Sequence, residues 1–270
     1  MILINGRPEH SIAVSDRGLH YGDGLFETIA IKKGQPVHLQ AHLQRLQNGC
    51  KRLMLPAPEH GLIVDEINSL IQDADLAVIK IILTRGSGGR GYRQPDSIQA
   101  TRIVARYPFP DYPESYRQQG VKVRICKTHL GINPVLAGIK HLNRLEQVLA
   151  RAEWSDSSIQ EGLMLDHLGR VIEGTMSNLF MIKQATLVTS PVTHSGVAGI
   201  MRSEVIAQAN SHELIVREEY LDQTQLMAAD EVFLTNSIIG IWPIKQINEQ
   251  HFAVGPITKQ LIQYLDYSDV

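Results

Sequence analysis

Ala137-Gly138-Ile139-Lys140-His141-Leu142-Asn143 is the stretch that decides how this 270-residue chain folds and what it can do, because it sets one lysine between an extended run and a helical pattern. Leu142, Leu145, Val148 and Leu149 recur at helical spacing, which predicts an apolar stripe that buries while Lys140 sits at the helix entrance. A lysine held away from bulk water has its charged form disfavoured, and as a free amine it can form a Schiff base or move protons. Taken alone, the same residue reads as an ordinary solvated lysine.

Outward from that stretch, composition narrows the field. Lys and Arg number 26 against 28 Asp and Glu, a net charge of -2, so the chain lacks the electrostatic footprint of a nucleic-acid or anionic-membrane binder. A small-molecule partner is favoured. Cys50 and Cys126 are the only cysteines, too few for a disulfide framework, which suits a reducing compartment and makes a cytoplasmic location the default. The apolar start Met1-Ile-Leu-Ile4 is too short for an export signal, and the apolar run Ala77–Leu83 carries Lys80, so neither export nor a membrane span is expected. His38 and His42 are four apart but straddle a strand-to-helix change with no Glu after His38, so no metal site is expected.

Periodicity places the elements. Short strands are expected over 2–4 and 12–14, a hairpin from 25–31 to 37–39 about Lys33-Gly34-Gln35-Pro36, and a helix where Leu43, Leu46, Cys50 and Leu53 step by three and four before Pro56. Arg45 lies off that stripe, so its guanidinium can reach elsewhere. A helix over about 60–72 and strands 77–84 and 102–107 follow, the strands flanking Arg85-Gly-Ser-Gly-Gly-Arg-Gly-Tyr92. Beyond Pro108 the chain is proline-rich and apolar-poor, a linker signal. Strands are then expected at 121–126, 161–166, 170–173, 178–182, 185–189, 213–217 and 231–235, with helices at 199–210 and from Gly255-Pro256 to about Leu265. The expected organisation is an α+β N-terminal domain (1–108), a linker (109–119) and a C-terminal α/β domain (120–270) with the lysine, α/β overall.

Glu173 in Ile172-Glu-Gly-Thr-Met-Ser-Asn178, Gly199-Ile200-Met201 at a helix start, Arg45 and Lys140 together form a constellation that resembles the fold type IV family of pyridoxal-phosphate enzymes, the two-domain fold of D-amino acid aminotransferases. The resemblance runs from Asp16-Arg-Gly18 to Thr235-Asn-Ser237. It implies pyridoxal 5'-phosphate as cofactor, held between two domains and carried covalently by Lys140, which then serves as base and acid. It also implies that Glu173 keeps the pyridine nitrogen protonated, and that Arg45, the amides of Ile200 and Met201 and the Ser237 hydroxyl hold the phosphate. The aminotransferases carry threonine where Met201 stands, so only the amide remains at that position.

The Gly-rich loop, by the same resemblance, borders the substrate. Where D-amino acid aminotransferases use a tyrosine, an arginine and a histidine to hold the substrate carboxylate, this chain has Phe26, Arg90 and Tyr92. That departure argues against a D-amino acid transaminase and leaves Arg90 as the carboxylate ligand. The loop and the sequence around Lys140 resemble the lyase branch of the family more than its transaminases, which remain the alternative; a non-catalytic cofactor-binding module is the more distant one. The resemblance further implies a homodimer in which a loop of the partner helps close the site.

Overall fold

The structure, a computed structural model, describes residues 1–268, with side chains through Asp266. The chain divides into two compact units, residues 1–110 with 139–143, and residues 111–138 with 144–270. The break thus falls at Pro110–Asp111, and the linker expected over 109–119 carries a short helix of the second unit. Lys140, expected in the C-terminal domain, groups with the first unit.

In the first unit the order is β1 (Ile2–Ile4), β2 (Arg7–Pro8), α1 (Arg17–Tyr21), β3 (Gly24–Lys32), β4 (Gln35–Pro36), α2 (Leu39–Leu53), α3 (His60–Ile71), β5 (Leu76–Thr84) and β6 (Thr101–Tyr107). One antiparallel sheet runs β2-β1-β6-β5-β3-β4, its longest pairing being β3 against β5 from Gly24↔Thr84 to Lys32↔Leu76. Residues alternate across a strand, so Leu25, Glu27, Ile29 and Ile31 share the face toward α2 and α3 and Phe26 points the other way. Ile29, Ile31, Leu43, Leu46, Ile63, Ile67, Leu70, Ile79 and Ile81 form the core, and Ile139 joins it.

The expected strand at 12–14 is absent: Ile12 and Val14 are exposed, and the Ala13 carbonyl instead accepts from Asp16 N, in the turn that leads into α1. The hairpin turns on Lys33-Gly34, both at positive φ (51° and 71°), so its return strand is Gln35–Pro36 and residues 38–39 already enter α2.

The second unit runs α4 (Ser115–Gln119), β7 (Val121–Ile125), α5 (Leu145–Arg151), β8 (Glu161–Leu165), β9 (Val171–Gly174), β10 (Asn178–Lys183), β11 (Thr186–Thr189), α6 (Ile200–Ser211), β12 (Ile215–Glu218), α7 (Gln223–Met227), β13 (Glu231–Asn236), β14 (Gly240–Ile247), β15 (Gln250–His251) and α8 (Pro256–Ser268). Its sheet follows β12-β11-β10-β13-β14-β7-β8-β9, and β9 pairs back to β10 through Glu173↔Asn178, which closes a barrel-like ring. Alternating residues split the packing. Leu163, Leu165, Leu179, Met181, Leu234 and Trp242 share one core, whereas Phe180, Ile182, Phe233 and Ile241 pack with Met201 and Val205 of α6 and Leu261 of α8.

The helix after Lys140 differs from expectation. It begins only at Leu145, and it buries Gln147 and Ala150 while Leu145 (75 %), Val148 (60 %) and Leu149 (60 %) are exposed. The helical spacing is real, but its apolar side faces out of this chain. No helix among the described residues is long and apolar enough to cross a membrane.

Candidate active site

Lys140 lies on extended chain. Phe26 N donates to the Lys140 carbonyl (3.0 Å), Leu142 N to the Gly24 carbonyl (3.0 Å), and Leu25 bridges to His141, so residues 140–142 cover the part of the β3 edge that β4 leaves open. Backbone pairing on one side and a buried Ile139 on the other fix the direction of the side chain. Its half-buried ammonium stands 4.3 Å from the centroid of the Phe26 ring, which lies on the sheet face away from the helices.

The opposite face of β3 holds a charge inside the core. Glu27 is 1 % exposed and accepts from Arg45 Nε (2.8 Å), from Arg45 Nη2, and from His42 Nδ1 (2.7 Å), both partners coming from α2 one turn apart. A buried carboxylate survives only when paired in this way. Burial by itself would raise the Glu27 carboxyl, yet the bonds from Arg45 and His42 hold it below the usual carboxylate range. Burial pushes the His42 imidazole down, against the pull of Glu27, with Arg45 and His38 adding to the downward push.

These directions set a pH response. Both groups release their protons more readily folded than unfolded, so the unfolded chain takes up more protons as pH falls and stability falls with it. The loss begins below about pH 6.5, the ordinary histidine value, at up to about 1.4 kcal/mol per pH unit for one proton, and Glu27 adds to it below about pH 4.5. Urea unfolding of the chain and of His42→Gln at pH 7.0, 6.0 and 5.0 checks this. The variant loses its histidine's share of the slope between pH 6.5 and 5; equal slopes contradict the assignment.

In the second unit, Glu173 stands where the ring of strands closes. Its buried Oε2 accepts from Val197 N (2.8 Å) and Asn178 Nδ2 (3.4 Å), and the same Asn178 amide donates to the Val197 carbonyl (2.9 Å). The segment 196–199 is therefore folded onto the carboxylate. Gly196 has φ +84° and a Cβ there would lie 3.1 Å from Glu173 Oε2, while a Cβ at Gly199 would fall 2.0 Å from Asn178 Oδ1, so glycine is required at both.

Gly199 is the N-cap of α6, whose first-turn amides at Ile200 and Met201 have no acceptor within the helix. Their side chains are buried, Met201 in the core, so these residues can serve an anion only through the backbone. Ser237 sits half-buried on the β13–β14 turn. Asn236 orders that turn, accepting from Ile238 N (2.8 Å) and Ile239 N (3.0 Å) and donating to the Met176 carbonyl (3.0 Å).

Residues 174–177 are held from beneath by Glu161, which is 1 % exposed and accepts from Gly162 N (2.9 Å), Thr175 N (3.2 Å), Thr175 Oγ1 (2.5 Å), Met176 N (3.1 Å) and Ser177 Oγ (2.9 Å). Five donors on one carboxylate fix the turn that follows Glu173 and, through Met176, the turn that carries Ser237. Arg144 also belongs here: burial pushes its guanidinium down from its usual value, while Glu173 and Glu146 pull it back up.

Arg90 and Tyr92 lie on the Gly-rich loop of the first unit with exposed side chains, Tyr92 at 88 %. The structure thus associates Lys140 with Phe26 and groups Glu173 with the α6 N-terminus and the Ser237 turn. Sequence reasoning missed Glu27 and Glu161, weighed His42 only as a metal ligand, and gave Asn178 no role of its own. A charge amid Leu25-Phe-Glu-Thr-Ile-Ala-Ile31 was the available signal for Glu27; Glu161, at the mouth of a strand, offered none.

Residues 24–247 match the amino-transferase class IV family, and the chain belongs to it. Among its relatives, an aminodeoxychorismate lyase from Vibrio harveyi is 38 % identical over 97 % of this chain and 98 % of its own. The crystal structure of 4-amino-4-deoxychorismate lyase from Pseudomonas aeruginosa superposes with a TM-score of 0.96 at 45 % identity, covering 100 % of both chains. A branched-chain amino acid aminotransferase structure from Escherichia coli reaches 0.88 at 27 % identity, over 100 % of this chain and 94 % of that one.

Proposed function

We propose that this chain is a pyridoxal-phosphate-dependent lyase that converts 4-amino-4-deoxychorismate to 4-aminobenzoate and pyruvate, a step towards folate. The observation that carries this reading is the end-to-end likeness to the Pseudomonas aeruginosa lyase, which exceeds the likeness to the aminotransferase structure in both fold and identity.

The donor set fits the cofactor. A half-buried amine at Lys140 suits an aldehyde, a buried carboxylate held by neutral amides at Glu173 suits a protonated pyridine nitrogen, and a guanidinium at Arg45 with the amides of Ile200 and Met201 suits a phosphate. When bound, pyridoxal phosphate supplies an electron sink for the carbon that bears the substrate's nitrogen.

Lys140 would hold the cofactor through its amine and would serve as the base for the proton on the substrate carbon that bears nitrogen. Glu173 would pair with a protonated ring nitrogen, and the Val197 and Asn178 donors hold its carboxylate in place for that. Arg45, its orientation fixed by Glu27, and the Ser237 hydroxyl would be the side chains offered to the phosphate. Arg90 takes a substrate carboxylate, and Phe26 and Tyr92 border the substrate. Release of enolpyruvate by breakage of the neighbouring C–O bond, with a proton taken up to give pyruvate, would leave an aromatic ring, so Lys140 would have to withhold its proton from the cofactor, where delivery leads towards transamination. A homodimer in the cytoplasm, with a partner loop at the site, accompanies this reading.

Supplying the purified enzyme with 4-amino-4-deoxychorismate should release 4-aminobenzoate and pyruvate in equal amounts, with amino-group transfer from branched-chain or D-amino acids to a 2-keto acid at least about a hundredfold slower. Turnover of the amino acid and keto acid pair alone would make the chain a transaminase.

A further inference from the structure

The loop that carries Arg90 and Tyr92 has no regular structure and no apolar side chain in the core, yet it is ordered from within. We propose that Arg17, the second residue of the Asp16-Arg17-Gly18 stretch, is the positioning residue of the substrate loop: its buried guanidinium is the mould on which residues 86–93 are folded. The inference rests on the reading of Arg90 as the substrate's carboxylate ligand.

Arg17 is 4 % exposed. Its Nη1 donates to the carbonyls of Gly91 (3.0 Å), Arg93 (3.3 Å) and Gly88 (3.4 Å), its Nη2 to the carbonyl of Tyr92 (3.5 Å), and its backbone amide to the carbonyl of Gly86 (2.9 Å). Five carbonyls of one loop thus converge on one residue. The loop closes on itself between them, Arg93 N donating to the Arg90 carbonyl (3.3 Å), and the side chains of Arg90 and Tyr92 are exposed.

The guanidinium is itself fixed. Its Nε donates to Asp23 Oδ2 (2.9 Å), and Asp23 also receives Arg85 Nε (2.8 Å) and Nη2 (3.0 Å), while Arg85 donates to the Leu53 and Met54 carbonyls at the end of α2. At the loop's base, Asp16 accepts from Gly18 N (2.7 Å), Thr84 Oγ1 (2.9 Å) and Thr101 Oγ1 (2.7 Å), tying the two strand ends together. The outer end is stacked as well: Tyr21 lies 4.8 Å from the Arg17 guanidinium and meets Tyr92 edge-on at 5.6 Å.

Only a planar fork with several donors can serve this many carbonyls, so lysine cannot replace it. The glycines tell the same story from the other side. Gly89 (φ +75°) would place a Cβ 2.3 Å from the Arg93 carbonyl and 3.3 Å from Arg17 Nη1.

The test uses trypsin sites that the loop itself provides after Arg90 and Arg93. Holoenzyme and the variants Arg17→Met, Arg17→Lys and Gly89→Ala are compared for loop cleavage, KM, kcat and cofactor affinity. In all three variants cleavage should accelerate at least about tenfold and KM should rise about tenfold, with cofactor affinity and kcat within about twofold. Arg17→Lys keeps a cation that can pair with Asp23 and removes only the fork, so it decides the matter if Arg17→Met fails to fold. Unchanged cleavage, or full rescue by lysine, overturns the proposal. Faster cleavage with KM unchanged upholds Arg17 as the mould and instead removes Arg90 from the substrate site.

Discussion

Lys140→Ala should lower turnover at least about ten-thousand-fold, the upper range for removal of one acid–base group, which corresponds to about 5.5 kcal/mol of barrier. The same variant should lose the visible absorption of lysine-bound cofactor. Little else should change: the strand-edge pairing that holds this residue, Phe26 N to its carbonyl and Leu142 N to the Gly24 carbonyl, is made by the backbone, and the side chain is only half-buried. A melting temperature within a few degrees of the parent, together with lost colour and lost turnover, separates a chemical role from a structural one. Retained turnover would return Lys140 to the status of a surface residue.

Glu173→Gln is the second large effect. Glutamine keeps an oxygen for the Val197 amide, so segment 196–199 and the start of α6 can stay in place, but it has no charge to keep a ring nitrogen protonated. The rate should fall about 10²- to 10³-fold, the range seen when one preorganised electrostatic partner is removed. Cofactor affinity should drop much less. A kcat within threefold of the parent contradicts the role given to this carboxylate.

The apolar runs of β3, β5, β8 and β10 and the stepping of Leu43, Leu46 and Cys50 made most elements legible, because strands buried on both faces read as nearly continuous apolar runs and a helix buries one stripe. What escaped has physical reasons. β14 carries Pro243, which argues against an interior strand; Pro243 pairs with Phe233 of β13, and the pairing with β7 begins only at Ile244. The stripe Leu145, Val148, Leu149 has true helical spacing, but spacing cannot tell whether the face it makes meets this chain's own core, and here it does not.

Lys140 was placed at a helix entrance because the helical pattern lies downstream; the partner that holds it, the open edge of β3, is more than a hundred residues upstream. The candidate residues with intrinsic chemistry, Lys140, Glu173 and Arg45, could be singled out in the sequence. The residues that hold them in place were harder to read: Glu161 under the turn after Glu173 and Arg17 beneath the Gly-rich loop act through long-range hydrogen bonds that leave no local pattern, and Glu27 beside Arg45 was marked only by a charge in an apolar strand.

The central claim is that one amine carries the cofactor. Reduction of the purified protein with borohydride, digestion and mass mapping addresses it directly. A single pyridoxyl-modified peptide with the label on Lys140 is the expected result; label on another lysine, or on none, contradicts the account.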